Sequence, residues 1–192
     1  MAESIQNLPT FQFSVEAYHR LLDVGILKPD DKVELIEGQI VQMALIKSTH
    51  AACVDRLGYI LRDLFIKKNI IRTQNPVTLG KHSEPEPDLA VVAFQEDFYE
   101  DAHPIPTQIY LVIEVAKSTE QSDRKIKIPL YAKHNIPEVW LVNLNKKEIE
   151  VYQNPTEEGY ASKTIYGQND KLQFDYLNKA LAVNRVFKFM QT

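Results

Sequence analysis

The run Ile109-Tyr110-Leu111-Val112-Ile113-Glu114-Val115-Ala116 constrains this chain more than any other stretch. It is almost continuously apolar, the pattern of an interior strand covered on both faces rather than one. One residue breaks it. Side chains alternate along a strand, so Tyr110, Val112, Glu114 and Ala116 share a face. Glutamate is almost never fully buried without a partner, because an ionised carboxylate in an apolar setting must be paired, hydrogen-bonded or bound to a metal. Glu114 therefore marks a place where folding alone would have chosen another residue.

The flanking elements suit an interior strand. Ser14 can cap a short helix with Val15, Tyr18, Leu21 and Leu22 on one face. Residues 33–36 and 39–43 flank Glu37-Gly38, where glycine's tolerance of positive φ allows a tight hairpin. Ser48 or Thr49 can cap a long helix with Val54, Leu57, Leu61, Leu64 and Phe65 on one stripe. Residues 70–79 predict a strand, placed at an edge or bend by Pro76. Pro85-Glu86-Pro87 interrupts the chain before 88–94, a short apolar run suited to a buried strand, and a polar loop spans 95–107. After the interior strand come a helix over roughly 123–134, disturbed by Pro129, a strand at 138–143 and further strands at 147–152 and 160–166. The order helix, three strands, helix, strand predicts an α/β sheet sandwiched by helices, with an N-terminal hairpin and a C-terminal β-meander. Residues 1–12 read as a flexible arm and 13–192 as a single domain.

Composition narrows the classes. A chain of 192 residues, 44% hydrophobic, can bury a core without covalent staples. The single cysteine, Cys53, excludes an intramolecular disulfide framework and a multi-cysteine zinc cluster. No stretch approaches the ~18 apolar residues of a membrane span, and the first residues lack the basic and apolar regions of a secretory signal. The expectation is a cytoplasmic protein that does not engage a membrane. A net charge of −4 argues against bulk adhesion to nucleic acid, although a local basic stripe at Lys117, Arg124, Lys125 and Lys127 is compatible with it.

Two carboxylates carry the candidate chemistry. Asp88 opens an apolar strand directly after a proline. If that strand neighbours the one holding Glu114, two hard oxygen donors converge near strand ends. Such a set suits Mg²⁺, which keeps several waters and completes its shell with substrate phosphate. The ion can sharpen a water nucleophile and stabilise an in-line phosphodiester displacement, and a nearby lysine adds positive charge. Structural roles stay open at this point: Glu114 can pair with Arg124 or a lysine, and Asp88 can cap a turn after Pro87. Cys53 lies off the main stripe of its helix, with no histidine and base arrangement to make it a nucleophile.

The run Pro85-Glu86-Pro87-Asp88-Leu89-Ala90-Val91-Val92, followed 26 positions after Asp88 by Ile113-Glu114-Val115-Ala116, is similar to the split Pro-Asp and Glu-x-Lys motifs of the PD-(D/E)XK nuclease superfamily. It most resembles the Uma-two branch of restriction endonucleases, a domain of unknown function. That branch's other marks are Glu34-Leu35-Ile36-Glu37-Gly38, His50, Ser118-Thr119, Asp123-x-x-x-Lys127-x-x-x-Tyr131 and Ile136-Pro137-Glu138-Val139-Trp140-Leu141-Val142, in order over roughly residues 14–187. The resemblance implies a restriction-endonuclease-like fold, Mg²⁺ or Mn²⁺ held by Asp88 and Glu114, and hydrolysis of DNA. Cutting both strands favours a homodimer.

One position departs from the pattern. The superfamily's lysine falls two residues after the glutamate, where this chain has Ala116. By resemblance to the branch, the lysine has moved to the following helix as Lys127, whose long stem gives it reach. Asp123, Lys127 and Tyr131 fall at i, i+4 and i+8, one face of a regular helix. Asp88, Glu114 and Lys127 are thus the candidate catalytic residues. Glu34, as a third acidic group, His50, as base or phosphate contact, Asp123 and Tyr131 are candidate supporting residues. The alternative that Ala116 leaves open is an inactive nuclease-fold module that binds nucleic acid or a protein partner.

Overall fold

The structure, a computed structural model, describes residues 10–28, 30–65, 68–117, 119–174 and 179–188. In chain order the elements are α1 (Val15–Asp23), β1 (Val33–Ile36), β2 (Gln39–Gln42), α2 (Ser48–Leu64), β3 (Asn69–Thr73), β4 (Leu89–Ala93), β5 (Ile109–Ala116), α3 (Glu120–Ser122), a π-helical turn (Asp123–Lys127), α4 (Ile128–Lys133), β6 (Glu138–Asn143), β7 (Glu148–Thr156), β8 (Gly159–Tyr166), β9 (Lys171–Phe174), β10 (Lys179–Ala182) and α5 (Asn184–Phe187). Strands β3 to β8 form one mixed sheet in sequence order. Every neighbouring pair is antiparallel except β5 and β6. The pairs β1–β2 and β9–β10 are separate antiparallel hairpins. Among the described residues no helix is long and apolar enough to cross a membrane.

Strand β5 lies inside this sheet and is buried along its length apart from Tyr110. On one face Leu89, Val91, Leu111, Ile113, Val115 and Trp140 pack with Cys53, Val54, Leu57 and Leu61 of α2. On the other, Ala90, Val92, Val112, Ala116, Val139 and Leu141 pack with Ile128, Leu130 and Tyr131 of α4. Alternation along β4, β5 and β6 thus feeds two cores, which is why these strands read as continuous apolar runs. A parallel pair needs a crossover connection, and the segment from α3 to α4 supplies it between β5 and β6.

That crossover is not one regular helix. The Ile128 N–H donates to the Asp123 carbonyl, five residues back, widening the turn. Pro129 gives the physical reason: it has no N–H, and its ring crowds the carbonyl of Lys125, four residues earlier. Widened turns of this kind recur at functional sites.

Other differences from the sequence reading have local causes. The strand expected over 70–79 ends at Thr73, because Gln74 takes φ +50°; Val77 and Leu79 are buried by the loop that follows. Helix α2 has Lys47 at its N-cap and no side-chain cap, so neither Ser48 nor Thr49 plays that part. Ser14 does cap α1, accepting from the Ala17 N–H at 3.1 Å, but Leu22 stays exposed. The β9–β10 hairpin and α5 were not read from sequence, since four-residue elements show too little periodicity; their Leu172, Leu181, Val183 and Val186 close the α2 face. At the β1–β2 turn Glu37 and Gly38 both have positive φ, +45° and +78°, as a two-residue hairpin requires. A side chain at Gly38 would place its Cβ 2.6 Å from that of Gln12. Of the expected arm, residues 1–9 lie outside the described residues. Thr10 meets the hairpin through Gln39, 3.0 Å away, and the Phe13 N–H donates to Gly38 at 2.9 Å.

The π-helical turn is tied to the sheet by Glu150 of β7, which is buried and ringed by donors. Arg124 Nη2 stands 2.5 Å away, Lys163 Nζ 2.8 Å and the Tyr152 hydroxyl 2.5 Å. Burial by itself would raise the Glu150 pKa; the hydrogen bonds from Arg124, Lys163 and Tyr152 outweigh it and hold the carboxyl at about 2. A folded pKa below the unfolded value contributes stability above the ordinary carboxylate range and loses it as pH falls through the folded value. The depression from 4.5 to about 2 amounts to about 3 kcal/mol. Glu150→Gln should therefore cost most near neutral pH and progressively less below pH 4.5, measured by urea unfolding of parent and variant over an acid series. A cost independent of pH would refute this assignment.

Candidate active site

The site is assembled where β4 and β5 meet. Their antiparallel register pairs Leu89 with Ile113, which sets Asp88, just before β4, beside Glu114. Asp88 is held by its neighbours. Its Oδ2 accepts the Val115 N–H at 2.8 Å and stands 3.0 Å from His50 Nε2. Gln74 reaches Oδ1 with its amide at 3.4 Å and donates its own N–H to the Asp88 carbonyl at 3.0 Å. The hydrogen bond to Asp88 raises the His50 pKa, against the opposing effect of burial. His50 Nδ1 is buried without a partner among the described residues.

Glu114 is 4% exposed. The Tyr131 hydroxyl donates to its Oε1 at 2.6 Å, and Lys127 Nζ lies 3.3 Å from the same oxygen. The same ammonium is 3.1 Å from Glu34 Oε2, which also accepts the Glu86 N–H at 3.0 Å. Burial pushes the Glu114 carboxyl up to about 8, with Lys127 and the Tyr131 hydrogen bond opposing it. For Lys127 burial acts downward, but the charges of Glu114, Glu34 and Asp123 prevail and hold it as an ammonium ion. Burial also raises the pKa values of Asp123 and Glu86.

These groups line one cleft of about 280 Å³. Five carboxylates face it (Glu34, Glu86, Asp88, Glu114 and Asp123), together with Lys127 and His50. The same cleft has an apolar lining that includes Val41, Met43, Ala44, Ile46 and Ile126, a wall supplied by β2, the segment after it and the π-helical turn. Six of the seven candidate residues thus line the cleft, and the seventh, Tyr131, sits beneath it, fully buried on Glu114. Asp123, Lys127 and Tyr131 stay together despite the widened turn. Glu34 is in the cleft, where it meets Lys127 and the Glu86 N–H. The basic stripe does not form: Arg124 turns to Glu150 and Lys127 into the cleft, leaving Lys117 and Lys125 exposed. Cys53 is fully buried, its thiol pushed up to about 12 by burial, which leaves it no nucleophilic role.

Sequence reasoning missed Gln74, Glu86 and the apolar wall. Glu86 carried a signal, a carboxylate between two prolines next to Asp88; Gln74 and the wall depend on backbone geometry and tertiary proximity.

Among the described residues no group of three or more His, Cys, Asp or Glu side chains has the geometry to hold a metal. Asp88 and Glu114 are the candidate pair of donors, set side by side by the β4–β5 register. The Val115 N–H and His50 meet Asp88 at Oδ2 while its Oδ1 takes the longer Gln74 contact at 3.4 Å, and Tyr131 and Lys127 both meet Glu114 at Oε1. Two hard oxygens in a cleft open to water fit Mg²⁺ or Mn²⁺.

A family model described as "Uma2: Putative restriction endonuclease" matches residues 15–184. Among solved structures, one titled as a putative nuclease belonging to DUF820, from Anabaena variabilis ATCC 29413, aligns with a TM-score of 0.74 and 16% identity, covering 91% of this chain and 97% of that one. At that identity the likeness speaks for the fold, which is nuclease-like. No curated protein matches the chain.

The Lys127 bridge makes a direct prediction. Lys127→Met leaves Glu34 and Glu114 buried without a cation, a change that costs about 3 kcal/mol when both are ionised. At low pH Glu114 is protonated, so the cost shrinks there and grows as pH rises through its raised value of about 8. Denaturant titrations at acid and alkaline pH check this; an equal cost at both would show that the ammonium does not balance these carboxylates.

Proposed function

The chain belongs to the Uma2 family, and on that premise we propose that it is a Mg²⁺- or Mn²⁺-dependent endonuclease that hydrolyses DNA phosphodiester bonds. The observation that carries this reading is Lys127 Nζ at 3.3 Å from the Glu114 carboxylate. The residue two positions after Glu114 is a fully buried alanine, with no space for a lysine in that core, and the ammonium arrives instead from the crossover. The three charged groups of the superfamily pattern are therefore present in one cleft. This favours hydrolysis over a module that only binds.

Asp88 and Glu114 would hold a Mg²⁺ or Mn²⁺ ion, which would supply Lewis acidity and activation of water. The chain's own residues do the positioning. The Val115 N–H and His50 fix the Asp88 carboxylate, and Tyr131 fixes that of Glu114. Lys127, kept charged by its acidic neighbours, offers fixed positive charge to a phosphate on which negative charge develops. Glu34 holds that ammonium from the far side.

The test is nicking of supercoiled plasmid by the purified chain in Mg²⁺ or Mn²⁺. Nicked circles should form, and should fail to form with chelator or with Asp88→Ala protein whose fold is verified by circular dichroism. Absence of nicking by folded parent protein across metals, salt and pH would reject the proposal; salt-sensitive DNA binding without turnover would identify a binding module.

A further inference from the structure

The reacting groups lie deep in their cleft. Side-chain exposure is 5% for Glu114, 13% for Asp88 and 14% for Lys127. The space above them, about 280 Å³, has the scale of a pocket for one small ligand (about 300–1,000 Å³) and not of a groove for a double helix. The apolar wall is unusually open. Ile46 and Ile126 are each 51% exposed, and Leu45, beside Ile46 in the extended segment between β2 and α2, is 88% exposed. Contiguous exposed aliphatic side chains mark a binding surface. Exposed lysines adjoin them: Lys47 follows Ile46, Lys125 precedes Ile126, and the Lys32 carbonyl accepts the Met43 N–H at 2.7 Å.

Depth, an apolar wall and flanking cations together describe an occupant. A paired duplex keeps its base faces stacked, so it leaves the wall unused and its phosphates far from the floor. A second copy of this chain seated on the wall would cover the mouth of the cleft and exclude substrate. A nucleotide that has left its stack satisfies every feature: an apolar base face for the wall, a phosphate for the floor and neighbouring phosphates for the lysines. Proteins that act on unstacked nucleotides combine these same elements, apolar side chains against bases and positive charge along the backbone.

Resting on the nuclease reading above, we infer that the cleft takes a single unstacked nucleotide, its base packed on Met43, Ile46 and Ile126, and that the substrate class is single-stranded or locally unpaired DNA. The test compares three oligonucleotides of one sequence, single-stranded, duplex with an unpaired bulge and fully paired, each with 2-aminopurine at the unpaired position. Cleavage is followed in Mg²⁺ or Mn²⁺; anisotropy and 2-aminopurine fluorescence are followed in Ca²⁺. The double variant Ile46→Ala/Ile126→Ala alters exposed side chains, and its melting temperature verifies folding.

The parent should cut or bind the unpaired forms roughly tenfold better than the paired one, toward the lower end of what one base gains by stacking on an aromatic ring, and the double variant should lose that preference. Equal handling of paired and unpaired DNA, or an unchanged preference in the variant, overturns the inference while metal-dependent cleavage leaves the nuclease reading standing. If nothing is cut, the nuclease reading fails and the binding arm alone decides: unpaired preference lost in the variant supports the base wall, and equal or absent binding overturns it. A parent dimer dissolved by the variant, with no preference for unpaired DNA, assigns the patch to a second copy and likewise overturns it.

Discussion

A carboxylate buried on an interior strand must be balanced, and the balancing of Glu114 organises the rest of this structure. Its partners come from α4, through Tyr131, and from the π-helical turn, through Lys127. Lys127 in turn reaches Glu34 on β1. A chain of charge therefore runs from the central sheet through the crossover to a hairpin that is not part of that sheet. Without the ammonium, the buried Glu114 and Glu34 side chains would lose the cation they share, and Glu114 would have no positive charge to offset its burial. The crossover is itself anchored by Arg124 on Glu150, so the turn that delivers Lys127 is gripped at two positions three residues apart.

The widened turn shows how backbone and chemistry meet. Pro129 is a poor residue for a helix interior, and its disturbance falls in the segment that carries Asp123 and Lys127. The irregularity is kept in a place where the sequence also concentrates ionisable groups. A widened turn and buried charge coincide here, as they often do at functional sites.

Much of this was legible beforehand. The continuous apolar reading of 109–116 announced a two-sided core, and the single glutamate within it pointed to the cleft that holds the candidate residues. The spacing of Asp123, Lys127 and Tyr131 announced a shared face, and they do share one, although the helix beneath them is not regular. What was hidden depends on tertiary context. Strand β3 is cut short by the positive φ of Gln74, which no propensity for glutamine signals. The roles of Gln74 and Glu86 follow from where the loops return. The apolar wall joins residues some eighty positions apart, and the terminal hairpin is too short to display a period. Charge was misread in one respect: four basic residues near the crossover look like a stripe in sequence, yet two of them are consumed by buried carboxylates.

The central claim is spatial: Asp88 and Glu114 present oxygens to one shared cation. Anomalous diffraction from crystals of the protein soaked in Mn²⁺ tests it most directly. The account expects a single strong peak between these two carboxylates, near Lys127. A peak elsewhere, or none at a soak concentration that loads other carboxylate sites, would contradict it.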